Sequence, residues 1–162
     1  MGFSRRLQNH PRLLAAGYKA NLWVAMRFKF AIRILGAERL ARWIYAPEEF
    51  LKRRIFDCKM CGQCILHSTG MTCPMTCPKN LRNGPCGGVR ANGNCEVIPE
   101  MRCIWVDAYD RSLKMTTYGD DLHILQPPVD RRLDGSSAWV NLMTGDDRVS
   151  TAGWKPSPKA EA

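Results

Sequence analysis

No cysteine occurs before position 58 or after position 103 of the 162 residues, and all eight lie between those positions. Acidic residues are scarce at one end: residues 1–57 carry twelve Lys and Arg against four acids, a net of +8. No run approaches the roughly 18 uninterrupted apolar residues of a membrane span, because Lys19, Arg27, Lys29 and Arg33 break the best candidate. No transmembrane segment is therefore expected. The stretch from Met1 to Pro11 lacks the basic-then-apolar layout of a secretory signal. A cytoplasmic protein is expected, where thiols stay reduced and bind metals more often than they form disulfides. G-x-G-x-x-G, G-x-x-x-x-G-K-[ST] and H-E-x-x-H are all missing. Nothing reads as a self-sufficient active site, so a non-catalytic subunit is the expectation.

What is present is a metal-ligand pattern. Cys58, Cys61 and Cys64 stand at two-residue gaps in C-K-M-C-G-Q-C. Such a triple holds three corners of a [4Fe–4S] cube, with a fourth ligand from elsewhere in the chain. Zinc sites more often use C-x-x-C pairs well separated in sequence. Cys73 and Cys77 follow in C-P-M-T-C-P, Cys86 in G-P-C-G-G, and then Cys95 and Cys103. Eight cysteines favour two four-sulfur sites. One division gives Cys58, Cys61, Cys64 and Cys77 to the first, since Cys77 precedes a proline as the distal ligand of bacterial ferredoxins does. Cys73, Cys86, Cys95 and Cys103 then form the second. Exchanging Cys73 with Cys77, placing zinc in the second site, or a single cluster with spare structural cysteines are the alternatives. His67 and His123 read as hydrogen-bonding surface residues, because cysteine already fills the ligand count. A [4Fe–4S]2+ cluster on four thiolates carries a formal −2, so part of the chain's +9 offsets such clusters.

The expected fold is small, loop-rich α+β, with a cysteine-ligated metal core, an N-terminal helical arm and few short strands. Three regions are expected: a basic helical arm over 1–57, a cysteine-rich metal-cluster domain over 58–106, and a C-terminal extension over 107–162. Residues 11–35 read as helix from Pro11, although Met26, Phe28, Phe30, Ile32 and Ile34 alternate at a strand period. Gly36 reads as a break and 37–45 as a short helix. Pro47 opens a further helix to about Phe56, with Glu48 and Glu49 against its dipole. The arm packs as core helices, docks a partner, or lies on a membrane surface. Between Gly70 and Gly93, Gly and Pro recur at nearly every turn, so only single turns fit, with amides free to meet cluster sulfurs. I-W-V-D-A-Y after Cys103 reads as a short strand or a helix start, and S-S-A-W-V-N-L-M as a strand or extended segment. The tail K-P-S-P-K-A-E-A reads as disordered.

The run C-K-M-C-G-Q-C-I-L-H-S-T-G-M-T-C-P-M-T-C-P-K-N-L-R-N-G-P-C-G-G-V closely resembles the methylenetetrahydrofolate reductase C-terminal domain family, which includes small iron–sulfur subunits. The likeness covers about residues 50–110. It implies a partner, a flavin-bearing (FMN or FAD) β/α-barrel subunit that reduces methylene- to methyl-tetrahydrofolate. It also implies that this chain relays electrons from ferredoxin or another donor to that flavin. The carry-over reaches the eight cysteines and no further. Two other readings are a zinc-stabilised structural adaptor and an electron-transfer protein for a corrinoid methyltransferase. Nucleic acid is a weaker partner, because aromatics are not interleaved with Lys and Arg within the cysteine stretch.

Overall fold

The computed structural model describes residues 7–27 and 29–149. The tail expected to be disordered, residues 155–162, lies outside the described residues. Helix α1 spans Pro11–Arg27, α2 Phe30–Leu35 and α3 Ala37–Phe56. Pro11 opens α1 where a missing N–H costs nothing, and Arg27 closes it against the C-terminal end of the dipole. The alternation over residues 26–34 does not yield a strand; helix propensity prevails there. Gly36, at φ 78°, turns the chain between α2 and α3.

Pro47 does not divide the third helix, contrary to the sequence reading. It sits inside α3, exposed, and the helix continues through it. The residues one turn on hold the helix in place: Glu48 is fully buried and Lys52 nearly so. Their side chains pair at 2.5 Å. At its C-terminus Asp57 adopts the left-handed conformation, and its amide and that of Cys58 return to Arg53 and Lys52 carbonyls. This cap swings Cys58 off the helix towards the interior.

The α+β expectation is overturned. Among the described residues there is no strand, only an isolated bridge between Asn94 and Arg102. The expected metal core is not found either: no three Cys, His, Asp or Glu among the described residues form a group that could hold a metal ion. Residues 58–103 are too rich in glycine and proline to sustain a ladder. They run as loops with short 3-10 turns at Leu66–Thr69 and Pro74–Thr76. Of the two short apolar segments, I-W-V-D-A-Y starts a helix, one of the two readings its sequence allows, and S-S-A-W-V-N-L-M, expected as strand or extended, is a helix as well. Helix α4, Ile104–Ser112, starts from Cys103 with Asp107 in its first turn. Helix α5, Ala138–Thr144, is capped by Ser137, whose hydroxyl accepts from the Val140 amide, and closed by left-handed Gly145.

The core is side-chain packing, rich in methionine. Met71, Met75, Leu66, Cys73 and Met115 bury against Ala15 of α1, with Tyr18, Phe56, Cys61 and Cys64 around them. A second group joins Cys103, Trp105 and Ala108 of α4 to Leu81 and Val89. Arg111 of α4 is buried and donates to Thr72 Oγ1 at 2.8 Å and Gln8 Oε1 at 2.9 Å, fixing α4 to the cysteine loop. Gly70 is required where it stands: at φ 58°, a Cβ there would meet the Ala108 carbonyl at 2.4 Å.

Glu48→Ala strands the Lys52 ammonium without its buried partner and is expected to cost roughly 3–5 kcal/mol. Replacing both residues, Glu48→Leu with Lys52→Met, is expected to recover most of that loss. Chemical denaturation of both variants checks this; a single variant within about 1 kcal/mol of wild type would show that the pair is not buried in solution.

Candidate functional site

Four thiols line one cavity: Cys58, Cys61, Cys64 and Cys73. Its enclosed volume is about 20 Å³, and Met60, Leu66 and Met75 are among the residues that line it. The triple reaches it because the chain from Cys58 to Cys64 is folded tightly. Met60 and Gly62 both take positive φ, 50° and 72°. At Gly62 a Cβ would meet the Leu133 carbonyl at 2.4 Å and Ser136 Oγ at 2.6 Å, so only glycine lets the loop lie against residues 133–136.

That loop is held from the C-terminal side. The Gly135 amide donates to the Met60 carbonyl at 2.8 Å, and Asn141 Nδ2 of α5 to the Gly62 carbonyl at 2.9 Å. Gln63, almost fully buried, accepts from the Asp130 amide at 2.8 Å. Residues 130–141, which looked ordinary in the sequence, are the outer wall of the cysteine loop.

Two buried cations face the thiols. Lys52 lines the cavity from α3, lies 5.3 Å from the Trp139 ring centre and is neutralised in part by Glu48, which also accepts from Ser137 Oγ. Burial pulls the Lys52 ammonium down, but the charges of Cys64 and Glu48 outweigh it and hold its pKa above the ordinary lysine value. Arg82 lines the same cavity, 7% exposed, and its Nη1 donates to the Gln63 carbonyl at 3.1 Å. Its Nε is buried with no hydrogen-bond partner. Burial lowers its pKa, opposed by Cys61 and Cys64, and a guanidinium stays charged regardless.

The thiols are unequal. Cys58 is lowered to about 6, chiefly because the Cys73 thiol donates to it, and the Met60 amide (3.3 Å) and Lys52 add to the effect. Cys73 is raised for the complementary reason: it keeps the proton it shares with Cys58. Burial raises Cys61. The cavity therefore presents sulfur donors, a ready thiolate, an amide directed at sulfur and two cations. A donor N–H left unpartnered beside them also fits an anionic, sulfur-ligated group. A single zinc, with Zn–S near 2.3 Å, draws its sulfurs to within about 4 Å of one another. No three of the described ligand-type residues are grouped in that way. A four-iron cube, carrying one ligand at each of four corners, suits sulfurs spread around a cavity.

The other cysteines lie elsewhere. Cys77 ends the Pro74–Thr76 turn, buried, and does not line this cavity. Cys73 stands with the triple in its place. Cys86 is half-buried in a loop, accepts from the Gly88 amide at 3.4 Å and lies 3.7 Å from Lys79 Nζ. Cys95 and Cys103 are buried and close to each other along the chain's only bridge among the described residues, where Cys95 N donates to Met101 O and Cys103 N to Gly93 O. His67 is packed between Tyr18 and Tyr118, with Nδ1 at 3.2 Å from the Tyr18 hydroxyl, and burial lowers its pKa. It is half-buried rather than on the surface, and hydrogen-bonded as expected.

Sequence reasoning missed Lys52, Arg82, Gln63 and Asn141. The signal for the first was the Glu48–Lys52 spacing of one helical turn, and for the second its place inside L-R-N-G-P-C-G-G. Nothing in the local sequence marks Gln63 or Asn141, whose roles depend on a fold-back across about 80 residues.

A family model described as methylene-tetrahydrofolate reductase C terminal matches residues 38–132. That stretch is more than half of the chain and holds all eight cysteines, Lys52 and Arg82. Neither the curated proteins nor the solved structures include a match to the sequence. No helix among the described residues is long and apolar enough to cross a membrane. On the family match, the chain belongs to the methylene-tetrahydrofolate reductase C-terminal family.

Proposed function

We propose that this chain is a non-catalytic, cluster-carrying subunit that relays electrons to the flavin of a methylenetetrahydrofolate reductase barrel. One observation carries the reading: four thiols line a single cavity that two buried cations face. Cys58, Cys61, Cys64 and Cys73 would hold a [4Fe–4S] cluster there. When bound, such a cluster passes electrons singly to a flavin, which can gather two and deliver a hydride.

The chain's own residues set the terms. Lys52 and Arg82 offset the negative charge of the thiolates and favour the more negative, reduced state of whatever they hold. The Met60 amide gives Cys58 a fixed donor. Met60, Leu66 and Met75 keep water from the apolar side. The family's name supports the partner: the flavin and folate sites belong to a β/α barrel outside these 162 residues. Cys77, Cys86, Cys95 and Cys103 are the donors left for a second site, iron–sulfur or zinc.

Anaerobically purified protein is expected to contain iron and sulfide in equal amounts. Cys58→Ala, Cys61→Ala, Cys64→Ala and Cys73→Ala should each lose the same share of both, about four atoms of each per chain. Cys77→Ala should keep that share. Zinc alone, without sulfide, would replace the redox reading with that of a structural adaptor, and equal losses in Cys77→Ala and Cys73→Ala would refute the ligand set.

Arg82→Met should move the reduction potential of the site downward by roughly 100–180 mV, the order expected for one charge about 4–7 Å away at an effective dielectric near 20. Arg82→Lys should restore most of it, because the charge returns without the planar fork. Potentiometric titration followed by visible absorption reads both; an unmoved potential in a fully loaded Arg82→Met protein rules out the electrostatic role.

A further inference from the structure

The end of the helical arm carries an apolar surface that the cysteine site does not use. On α1, Trp23 (69% exposed), Val24 and Met26 stand in solvent; on α2, Ile34 (74% exposed) and Leu35 do the same. Between them the exposed Arg27 and Lys29 supply positive charge. From residue 11 to residue 37 there are five Lys and Arg and no acid. An apolar cleft of about 880 Å³, solvent included, continues this surface inwards between Val24, Leu40, Trp43, Ile44, Trp139 and Met143.

We propose that this tip is a peripheral anchor that inserts into the headgroup region of an anionic lipid surface. Three features favour lipid over a protein partner. First, successive helical residues stand 100° apart, so Trp23, Val24 and Met26 spread over about 160° of the α1 circumference, with Arg27 inside that arc. A groove on a partner covers one stripe of a helix, whereas a lipid interface surrounds a tip. Second, a basic side chain within an apolar arc is accommodated when its stem lies among acyl chains and its head reaches a phosphate. Third, the exposed apolar residues from 23 to 35 precede residues 38–132, the part shared with the family, whereas Leu40, Trp43 and Ile44 of the cleft belong to it. A partner common to that family should be met by the shared residues. No described helix crosses a bilayer, so the contact is interfacial. Tryptophan prefers that depth, and between residues 11 and 37 no acid repels anionic headgroups, the first to follow being the exposed Glu38.

The proposal is independent of what the cysteines hold. The full chain, with the metal it carries, would be sedimented with vesicles of phosphatidylglycerol and phosphatidylcholine, and with vesicles of phosphatidylcholine alone. It should partition at least about tenfold more strongly onto the anionic vesicles, and added salt should release it. Trp23→Ser with Ile34→Ser should weaken partitioning about tenfold or more through lost apolar insertion. Arg27→Ser with Lys29→Ser should weaken it about twentyfold on anionic vesicles and leave the neutral ones unaffected. All four positions are exposed, and unchanged circular dichroism would confirm that the variants fold. Absent partitioning, equal partitioning onto both vesicle types, or undiminished partitioning of the Trp23 and Ile34 variant overturns the proposal. So does self-association or reductase-subunit binding that this variant abolishes in the absence of lipid, because the tip is then a protein interface.

Discussion

The contact between Lys52 and Glu48 sets an ammonium and a carboxylate 2.5 Å apart in an interior where neither side chain reaches water. A pair so placed has lost several kcal/mol of hydration per ion, and it holds only if every remaining valence is met. Glu48 is met by the hydroxyl of Ser137. Lys52 is met by the face of Trp139, and Cys64 and Glu48 together outweigh the burial that would lower its pKa. Both Ser137 and Trp139 lie in or next to α5, so this one pair joins α3, α5 and the cysteine loop. Removing a member would leave a charge with nowhere to go. That is why α3 runs through Pro47: the helix is held at Glu48 and Lys52 by tertiary contacts worth more than the single hydrogen bond the proline forfeits.

The same constraint explains why residues that look like an extension fold back. A loop of consecutive cysteines and glycines cannot hold its own shape, since it has few apolar side chains to bury. It is held instead by backbone partners: Gly135 to Met60, Asn141 to Gly62, Asp130 to Gln63. These bonds fix three sulfurs of one loop before any ligand arrives, and the 3-10 turn that starts at Pro74 brings Cys73 in beside them. Preorganisation of this sort lowers the entropy lost on ligation.

Much of this was visible in the sequence, unevenly. The helix starting at Pro11, the break at Gly36 and the delivery of Cys58 by a helix ending at Phe56 follow from local chemistry: a proline at N1, a glycine at positive φ, arginines in a last turn. Triple spacing brought Cys58, Cys61 and Cys64 to one cavity for the same reason. I-W-V-D-A-Y leaves strand and helix start both open and forms the helix, while the strand reading of S-S-A-W-V-N-L-M fails, because both are short apolar runs with no period of their own. Their type is decided by caps, Ser137 and Gly145 in the second case, and by the surfaces they cover. Assigning Cys77 to the triple's cluster, with Cys73 as the alternative, rests on a following proline, and both cysteines have one. The distinction lies in the turn between them, which faces Cys73 inward and carries Cys77 away.

Of the two cations, Arg82 says more about the cavity than Lys52 does. Lys52 has Glu48 as a permanent counterion, and a helical Glu–Lys pair one turn apart can be there for packing alone. Arg82 forms no such ion pair among the described residues, although its charge reaches the half-buried carboxyl of Asp147. Its Nη1 is occupied by the Gln63 carbonyl, while Nε, equally buried, has no acceptor in the protein. A buried donor without an acceptor costs roughly 1–3 kcal/mol, and the charge it belongs to costs more. Folded chains retain few such groups, and those they retain tend to mark sites where the acceptor comes with a ligand. Cys61, Cys64 and Cys73 are the sulfurs whose negative charge acts on that guanidinium, Cys61 most strongly. A neutral cavity of four protonated thiols would leave the arginine a net loss to the fold. Thiolates bound to an anionic inorganic core would turn it into a stabilising contact, and one that grows stronger with every electron the site accepts.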